Sequence, residues 1–485
     1  MKTTTRSWRK WTRVSPRLLP FADVATRELP LWRLFQLSLF QVSVGMCTAL
    51  LIGTLNRVMI VELGVGAWLV AMMVALPLLF APFRALLGFK SDTHRSVLGW
   101  RRVPYIWLGT LFQFSGLSIM PFALIVLSGD SSWPQWVAVL ATGLAFLLVG
   151  MGLQTTQTAG LALATDIAPA EARPRVVAMM YAMFLVGMVA SGLVFAWLLS
   201  DFTQITLIKV IQGAAGMSAV FNVVALWKQE ARDPMRTSAA IARPSFQHTW
   251  RTFSNRPNTL RYLLALGLGT AAFSMQDIIL EPYGGEVLGL SVSATTVLTA
   301  MMAAGALVAF GLAARWLSRG MNPYRLSALG AIVGLVAFSC VIFSEPFHEP
   351  NLFRLGTVLI GFGGGLFSVG TLTAAMNLEA NDALEHFGSR GLVIGAWGAV
   401  VAAATGISMA LGGALRDLVS GLAINGDIGT ALVNPATGYS FVYHLELYLL
   451  LVTLIAIGPL VRASSRSTPL GNASVSKFGL AEFPS

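Results

Sequence analysis

The stretch from Leu31 to Leu55, LWRLFQLSLFQVSVGMCTALLIGTL, runs 25 residues with a single charge, Arg33. A bilayer hydrocarbon core of about 30 Å is crossed by roughly 20 apolar residues in a helix. Lipid offers no partner to backbone N–H and C=O groups, so an apolar run of this length reads as a spanning helix. It is too long for a signal-peptide core and reads as an uncleaved first helix. Working outward, the pattern recurs at 65–88, 104–128, 135–164, 176–200, 205–227, 261–281, 293–315, 324–344, 352–378, 392–415 and 441–462. The chain of 485 residues is 55% hydrophobic and 11% charged, against about 25% charged in soluble domains. The fold class expected is an all-α membrane protein of twelve transmembrane helices. No stretch outside the spans is long enough for a separate domain, so function must lie inside the bundle or on its lipid-facing wall.

Charge fixes the orientation. Of 33 Lys and Arg residues, only Arg57, Lys209, Arg354 and Arg416 fall toward one side. The positive-inside bias therefore puts both termini in the cytoplasm. The net charge of +11 points to anionic lipids as partners and away from nucleic acid, since no basic run with interleaved aromatics lies on a soluble domain. The cysteines, Cys47 and Cys340, sit in apolar runs and read as small buried hydrophobes. They make no disulfide or metal framework.

The longest loop, 228–260, divides the helices six and six. The segment Gly152 to Asp201 has a counterpart from Gly365 to Asp417: a polar-threaded helix, a loop, a Gly-rich helix and a terminal Asp. Arg175 and Arg390 open the matching helices. A repeat spaced by about 215 residues implies a duplicated six-helix unit, the architecture of a major facilitator fold. The expected organisation is a basic N-terminal segment 1–30, a six-helix bundle 31–227, a linker 228–260, a second bundle 261–462 and a disordered tail 463–485. Within 1–30, Trp8 and Trp11 alternate with Arg9 and Arg13, which suits an amphipathic anchor in the headgroup plane. A basic tail that merely obeys the charge bias has the same composition.

Between helices two and three, Gly88, Asp92, Arg95, Arg101 and Arg102 resemble the glycine–aspartate–arginine loop of major facilitator proteins. Asp92 there can cap a helix terminus or pair with an Arg across the bundle, latching one conformation.

The wording of the loops is more specific. Ser91-Asp-Thr-His-Arg-Ser-Val-Leu-Gly-Trp-Arg-Arg-Val-Pro-Tyr105, then Gln157-Thr-Ala-Gly-Leu-Ala-Leu-Ala-Thr-Asp166, then Ala172-Arg-Pro-Arg175 resemble the PucC/LhaA family of purple phototrophic bacteria, over residues 25 to 462. The resemblance implies assembly of light-harvesting antenna in the bacterial inner (intracytoplasmic) membrane. Its implied partners are antenna polypeptides, the reaction-centre complex and the pigment-synthesis or membrane-insertion machinery, with a proposed role in delivering bacteriochlorophyll. LH1 is favoured over LH2 as client because the basic N-terminus offers an extra membrane contact. Some relatives carry a name suggesting a synthase. This sequence has neither an Asp-x-x-x-Asp pair for magnesium diphosphate nor a nucleotide-binding loop, and no enzyme is expected.

Polar residues inside spans are the default site candidates. They are Gln36, Gln41, Gln113, Gln154, Gln157, Lys209, Asn222, Gln276, Asp277, Glu281, Asn377, Glu379, His444 and Glu446. The bland reading for most is hydrogen bonding between helices, at about 0.6 kcal/mol each. Lys209 and Asp277 lie toward the same face and are expected to pair. A chlorin magnesium takes one axial ligand, an imidazole or a hard oxygen. None of the five histidines falls mid-membrane, so Gln41, Gln154 and Gln157 are the pigment candidates. Small residues at Gly361, Gly365, Gly391, Gly395 and Gly398 would open a lipid-facing groove, or else pack helices closely. The alternative function is proton-coupled transport of a small amphipathic solute, with Asp277 as the best coupling carboxylate.

Overall fold

The computed structural model describes residues 30–79, 100, 102–129, 133–168, 173–230, 259–383, 392–427, 429 and 432–466. The expected anchor residues Trp8, Arg9, Trp11 and Arg13, the loop residues Gly88, Asp92, Arg95 and Arg101, and the tail beyond 466 lie outside them.

Among the described residues the fold is all helical. The helices are α1 Leu31–Glu62, α2 Ala67–Leu79, α3 Val103–Leu127, α4 Gln135–Ile167, α5 Arg173–Leu198 and α6 Gln204–Leu226. The second set is α7 Thr259–Glu286, α8 Val292–Ser318, α9 Pro323–Ser344, α10 Pro350–Ala383, α11 Leu392–Ile424 and α12 Ala436–Arg466. Eleven of these are long and apolar enough to cross a bilayer, and α2, described over Ala67–Leu79, is a shorter apolar helix. The chain is a multi-pass membrane protein.

The helices pack as two like halves. In the first, α3 lies against α4, and α1 against α5 and α6; in the second, α9 lies against α10, and α7 against α11 and α12. The halves meet along two seams, α2 with α11 and α5 with α8. Both seams are built on glycine: a Cβ at Gly413 would strike Ala67 and Ala71, and one at Gly192 would strike Ala300. Without a hydrophobic force between helices in lipid, such close backbone approach supplies the attraction.

Polar glue holds the first half. The Asn222 amide on α6 donates to Thr110 Oγ1 at 3.0 Å and Gln113 Oε1 at 2.9 Å on α3. Gln36 on α1 donates to the Val224 and Trp227 carbonyls. Exposed tryptophans mark both rims. Trp32 and Trp227 lie at the basic end of the bundle, and Trp68, Trp133, Trp136 and Trp197 at the opposite end, where amphipathic rings sit at headgroup level.

Several helices outrun their expected ends. α1 continues to Glu62, α7 to Glu286 and α11 to Ile424, while α12 begins at Ala436 rather than 441. In each case polar residues that read as a span end are folded into the helix, and Asn56, Arg57, Glu281 and Glu446 among them are buried. Glu446 consequently lies ten residues into α12, about 15 Å from its start.

Candidate functional site

The first helix of each half departs from regular α geometry, and the two irregular segments touch. α1 is π-helical over Ala49–Leu55 and Val58–Glu62. α7 tightens to a 3-10 turn at Met275–Ile278 before resuming at Leu280–Glu286. Sequence explains the second break. Pro282 has no N–H, so the carbonyl four residues back, Ile278, loses its helical donor. The Asn56 amide on α1 supplies a replacement at 2.7 Å, with a longer contact to the Asp277 carbonyl at 3.4 Å. π-bulges and broken spans recur at functional positions.

Around this junction Thr54 on α1 bonds Thr296 on α8 at 3.3 Å, and the Thr299 hydroxyl donates to Glu281 Oε1. Gly53 is required: a Cβ there would strike Thr299 and Glu281. Asn56→Leu should therefore strand the buried Ile278 carbonyl at a cost of about 1–3 kcal/mol. A thermal midpoint equal to wild type in detergent would contradict this account.

Toward the end opposite the basic rim, a charge network spans both halves. Arg57, 4% exposed, pairs with Glu62 and donates to the Leu290 carbonyl. Arg416 on α11 pairs with Glu286 on α7 and with Asp417 Oδ1 at 2.7 Å. Its guanidinium also bonds Tyr439 Oη at 2.8 Å and stacks 4.5 Å over that ring. Tyr439 donates in turn to Glu286. The second oxygen of Asp417 accepts the Trp68 backbone N–H at 2.8 Å, in the first turn of α2, where a negative charge is favoured. Beneath this network Tyr283 packs against Phe353, Tyr439 and Tyr443 at centroid distances of 5.4–5.5 Å. Two of the four basic residues on the sparse side, Arg57 and Arg416, thus sit where the halves close on each other. Their rarity on that side was the sequence signal for them, and it went unused.

The expected Lys209–Asp277 pair does not form. Lys209 is exposed on α6, which packs on α1, α3 and α5, whereas Asp277 lies at the α7 break and accepts from Gln276. Equal depth did not bring the two together because their helices belong to different halves. Arg102 binds Asp166 Oδ2 on α4 at 3.0 Å. The Glu230 carboxylate, following α6, accepts the Arg102 and Val103 N–H groups at 2.9–3.1 Å. These partners tie the ends of α3, α4 and α6 within one half.

Among the pigment candidates, Gln41 is fully enclosed and neither amide atom has a partner. Gln154 is half-buried with Oε1 unpartnered, and Gln157 is half-buried. His444, set aside as lying at a span end, is eight residues into α12 and exposed on its outer face beside Phe441 and Tyr448. Its Nδ1 lies 2.7 Å from the Ser440 carbonyl. A carbonyl only accepts, so Nδ1 carries a proton, which leaves Nε2 as the nitrogen available to a ligand. The α10 glycines open no groove: Gly361 abuts the Met302 backbone and Gly365 the Ala306 and Ala309 positions. A cleft of about 550 Å³ opens instead between α3 and α6, walled by Trp107 and Trp227.

Comparison with known proteins agrees with the loop wording. The family model described as PUCC protein matches residues 54–465. A Protein PucC from Rhodovulum sulfidophilum is 56% identical over 412 residues, covering 84% of this chain and 89% of its own. A protein of Rhodobacter capsulatus described as an uncharacterized protein in the puhA-bchM intergenic region is 52% identical over 468 residues, 96% of this chain and 97% of that one. Among solved structures, a bacterial homologue of the human lysosomal transporter Spinster, inward-facing and unoccupied, aligns with TM-score 0.65 at 15% identity, over 91% of this chain and 99% of that one. At that identity the likeness speaks for the fold alone.

Proposed function

The chain belongs to the PUCC protein family, and on that premise we propose that it is a non-enzymatic assembly factor for bacterial light-harvesting antenna. The observation that carries this reading is the match of the family over residues 54–465. It is supported by an outer wall rich in exposed aromatic and aliphatic side chains on α3, α6 and α12, a surface on which a single-span hydrophobic polypeptide can lie. The reading places the protein in the bacterial intracytoplasmic membrane with both termini cytoplasmic. It takes LH1 rather than LH2 as client, on the strength of the basic segment 1–30. Deleting the gene should lower antenna absorption while pigment synthesis continues, and the tagged protein should co-purify with antenna polypeptides. Unchanged antenna in the deletion strain would remove this reading.

If the protein hands over bacteriochlorophyll, His444 fits the magnesium better than the three glutamines. It is the imidazole on the lipid-facing surface with its tautomer fixed by a carbonyl, the arrangement typical of ligating histidine. Gln41 has no opening for a macrocycle. The pigment would supply a hydrophobic ring and one coordination position; the chain supplies Nε2, flanked by Phe441 and Tyr448. Gently purified protein should carry a bacteriochlorophyll absorption band that His444→Leu removes without lowering yield. A band that survives the substitution rules His444 out.

One observation favours a second reading, transport of a small amphipathic solute: α7 is broken at Gln276 and Asp277, as spans of secondary transporters are at their sites. Proteoliposomes that accumulate a solute, and cease to with Asp277→Asn, would support it.

A further inference from the structure

Beside the α7 break, a set of buried side-chain polar atoms has no side-chain partner. Glu446 on α12 has zero exposure, and no side-chain donor reaches either carboxylate oxygen. Gln276, also at zero exposure, spends its amide nitrogen on Asp277, the Phe273 carbonyl and the Met302 sulfur, which leaves Oε1 unpartnered. The Tyr443 hydroxyl, one turn before Glu446, is buried and unpartnered as well. Glu446 faces the Asp277 carboxylate, and the Gln276 backbone N–H points toward it. Two carboxylates therefore look at each other inside the bundle.

No protein cation is left to balance them among the described residues. Arg57 on α1 pairs with Glu62 and turns toward Glu281. Arg416 on α11 is held by Glu286, Asp417 and Tyr439. Around the break Thr299 on α8 and Ser274, bonded to Thr405 on α11, are neutral, while the buried Glu281, whose Oε2 is likewise without a partner, faces Arg57. An uncompensated carboxylate inside a membrane bundle is costly enough that some positive charge must accompany it. We propose that Glu446, Gln276 and Asp277 form a binding site for one small monovalent cation, an alkali ion or a proton. Oxygen-only donors suit a hard ion. No group of three carboxylates, histidines or cysteines with metal-holding geometry exists among the described residues, which excludes the usual donor set of a divalent or zinc site. The site lies about mid-depth, ten residues into α12. It joins α12 to the break that α1 supports through Asn56, so its occupancy is positioned to bias how the two halves meet. It is independent of antenna assembly and would hold if the client were something else.

The test uses the full chain in detergent, with its thermal midpoint measured in sodium, potassium and choline chloride at equal ionic strength and at two pH values. If an alkali ion is the occupant, sodium or potassium raises the wild-type midpoint above that in choline. If it is a proton, the midpoint ignores the salt and rises as pH falls. In either case Glu446→Gln abolishes the response, because the amide carries no charge to balance. Asp277→Asn is read the same way should Glu446→Gln not fold. A wild type with neither response, or variants that respond as wild type does, would overturn the proposal.

Discussion

Arg416→Gln should lower stability by about 3–5 kcal/mol, the range for removing one partner of a buried ion pair. The side chain is 13% exposed and the substitution strands Glu286 and Asp417, at 24% and 20%. It also removes the cation stacked on Tyr439. The loss is not evenly shared. Asp417 holds the first turn of α2 through the Trp68 N–H, so the α2–α11 seam loosens at that end first. Thermal unfolding should register the energy, and spin labels on α2 and α11 near this end should report a longer or broader distance. Replacing the group as a whole, Arg416→Met with Glu286→Leu and Asp417→Asn, should recover much of the stability, because the penalty comes from leaving charges without partners. An Arg416→Gln protein as stable as wild type, with unchanged distances, would show that the network is not what closes this end.

Gly361→Leu should be the next most damaging. A Cβ at Gly361 would overlap the Met302 carbonyl of α8, and Gly305 on α8 sits the same way on the Val358 carbonyl of α10. The two helices meet through backbone at both points, so neither can give without moving the other. Overpacking of this kind costs about 1–3 kcal/mol, occasionally more. The expected result is a sharp fall in monodisperse yield and thermal midpoint. Gly398 on α11 is the control, since nothing lies within 4 Å of a Cβ there, and Gly398→Leu should stay within about 0.5 kcal/mol of wild type. Equal tolerance at the two positions would mean that Gly361 lines an open groove after all.

The loop between α2 and α3, with Gln157 to Asp166 and Ala172 to Arg175, was enough to place the chain in its family, and the twelve apolar runs to place it in the membrane. Helix ends were less legible. Asn56-Arg57 read as an exit from the bilayer and Gln276-Asp277 as lying toward a span end, yet both lie within helices whose neighbours enclose them. The same misreading hid Glu446 and His444 near a supposed terminus, although α12 starts five residues earlier. The glutamines nominated for pigment were chosen by residue type, and type alone does not tell an enclosed amide from an exposed one.

Sequence by itself determined the number of spans, the six-and-six division and the orientation expected of the chain. Each depends on local quantities, apolar length and the tally of charges per loop, that no folding partner alters. Only the tertiary structure decided that Asn56 repairs the break made by Pro282, that Arg416 reaches Glu286, and that Asp417 caps α2. Those partners are 222 residues apart for Asn56, 349 for Asp417 and 130 for Arg416. In lipid a polar group must be satisfied by whatever helix packs beside it, and which helix that is follows from how the halves assemble.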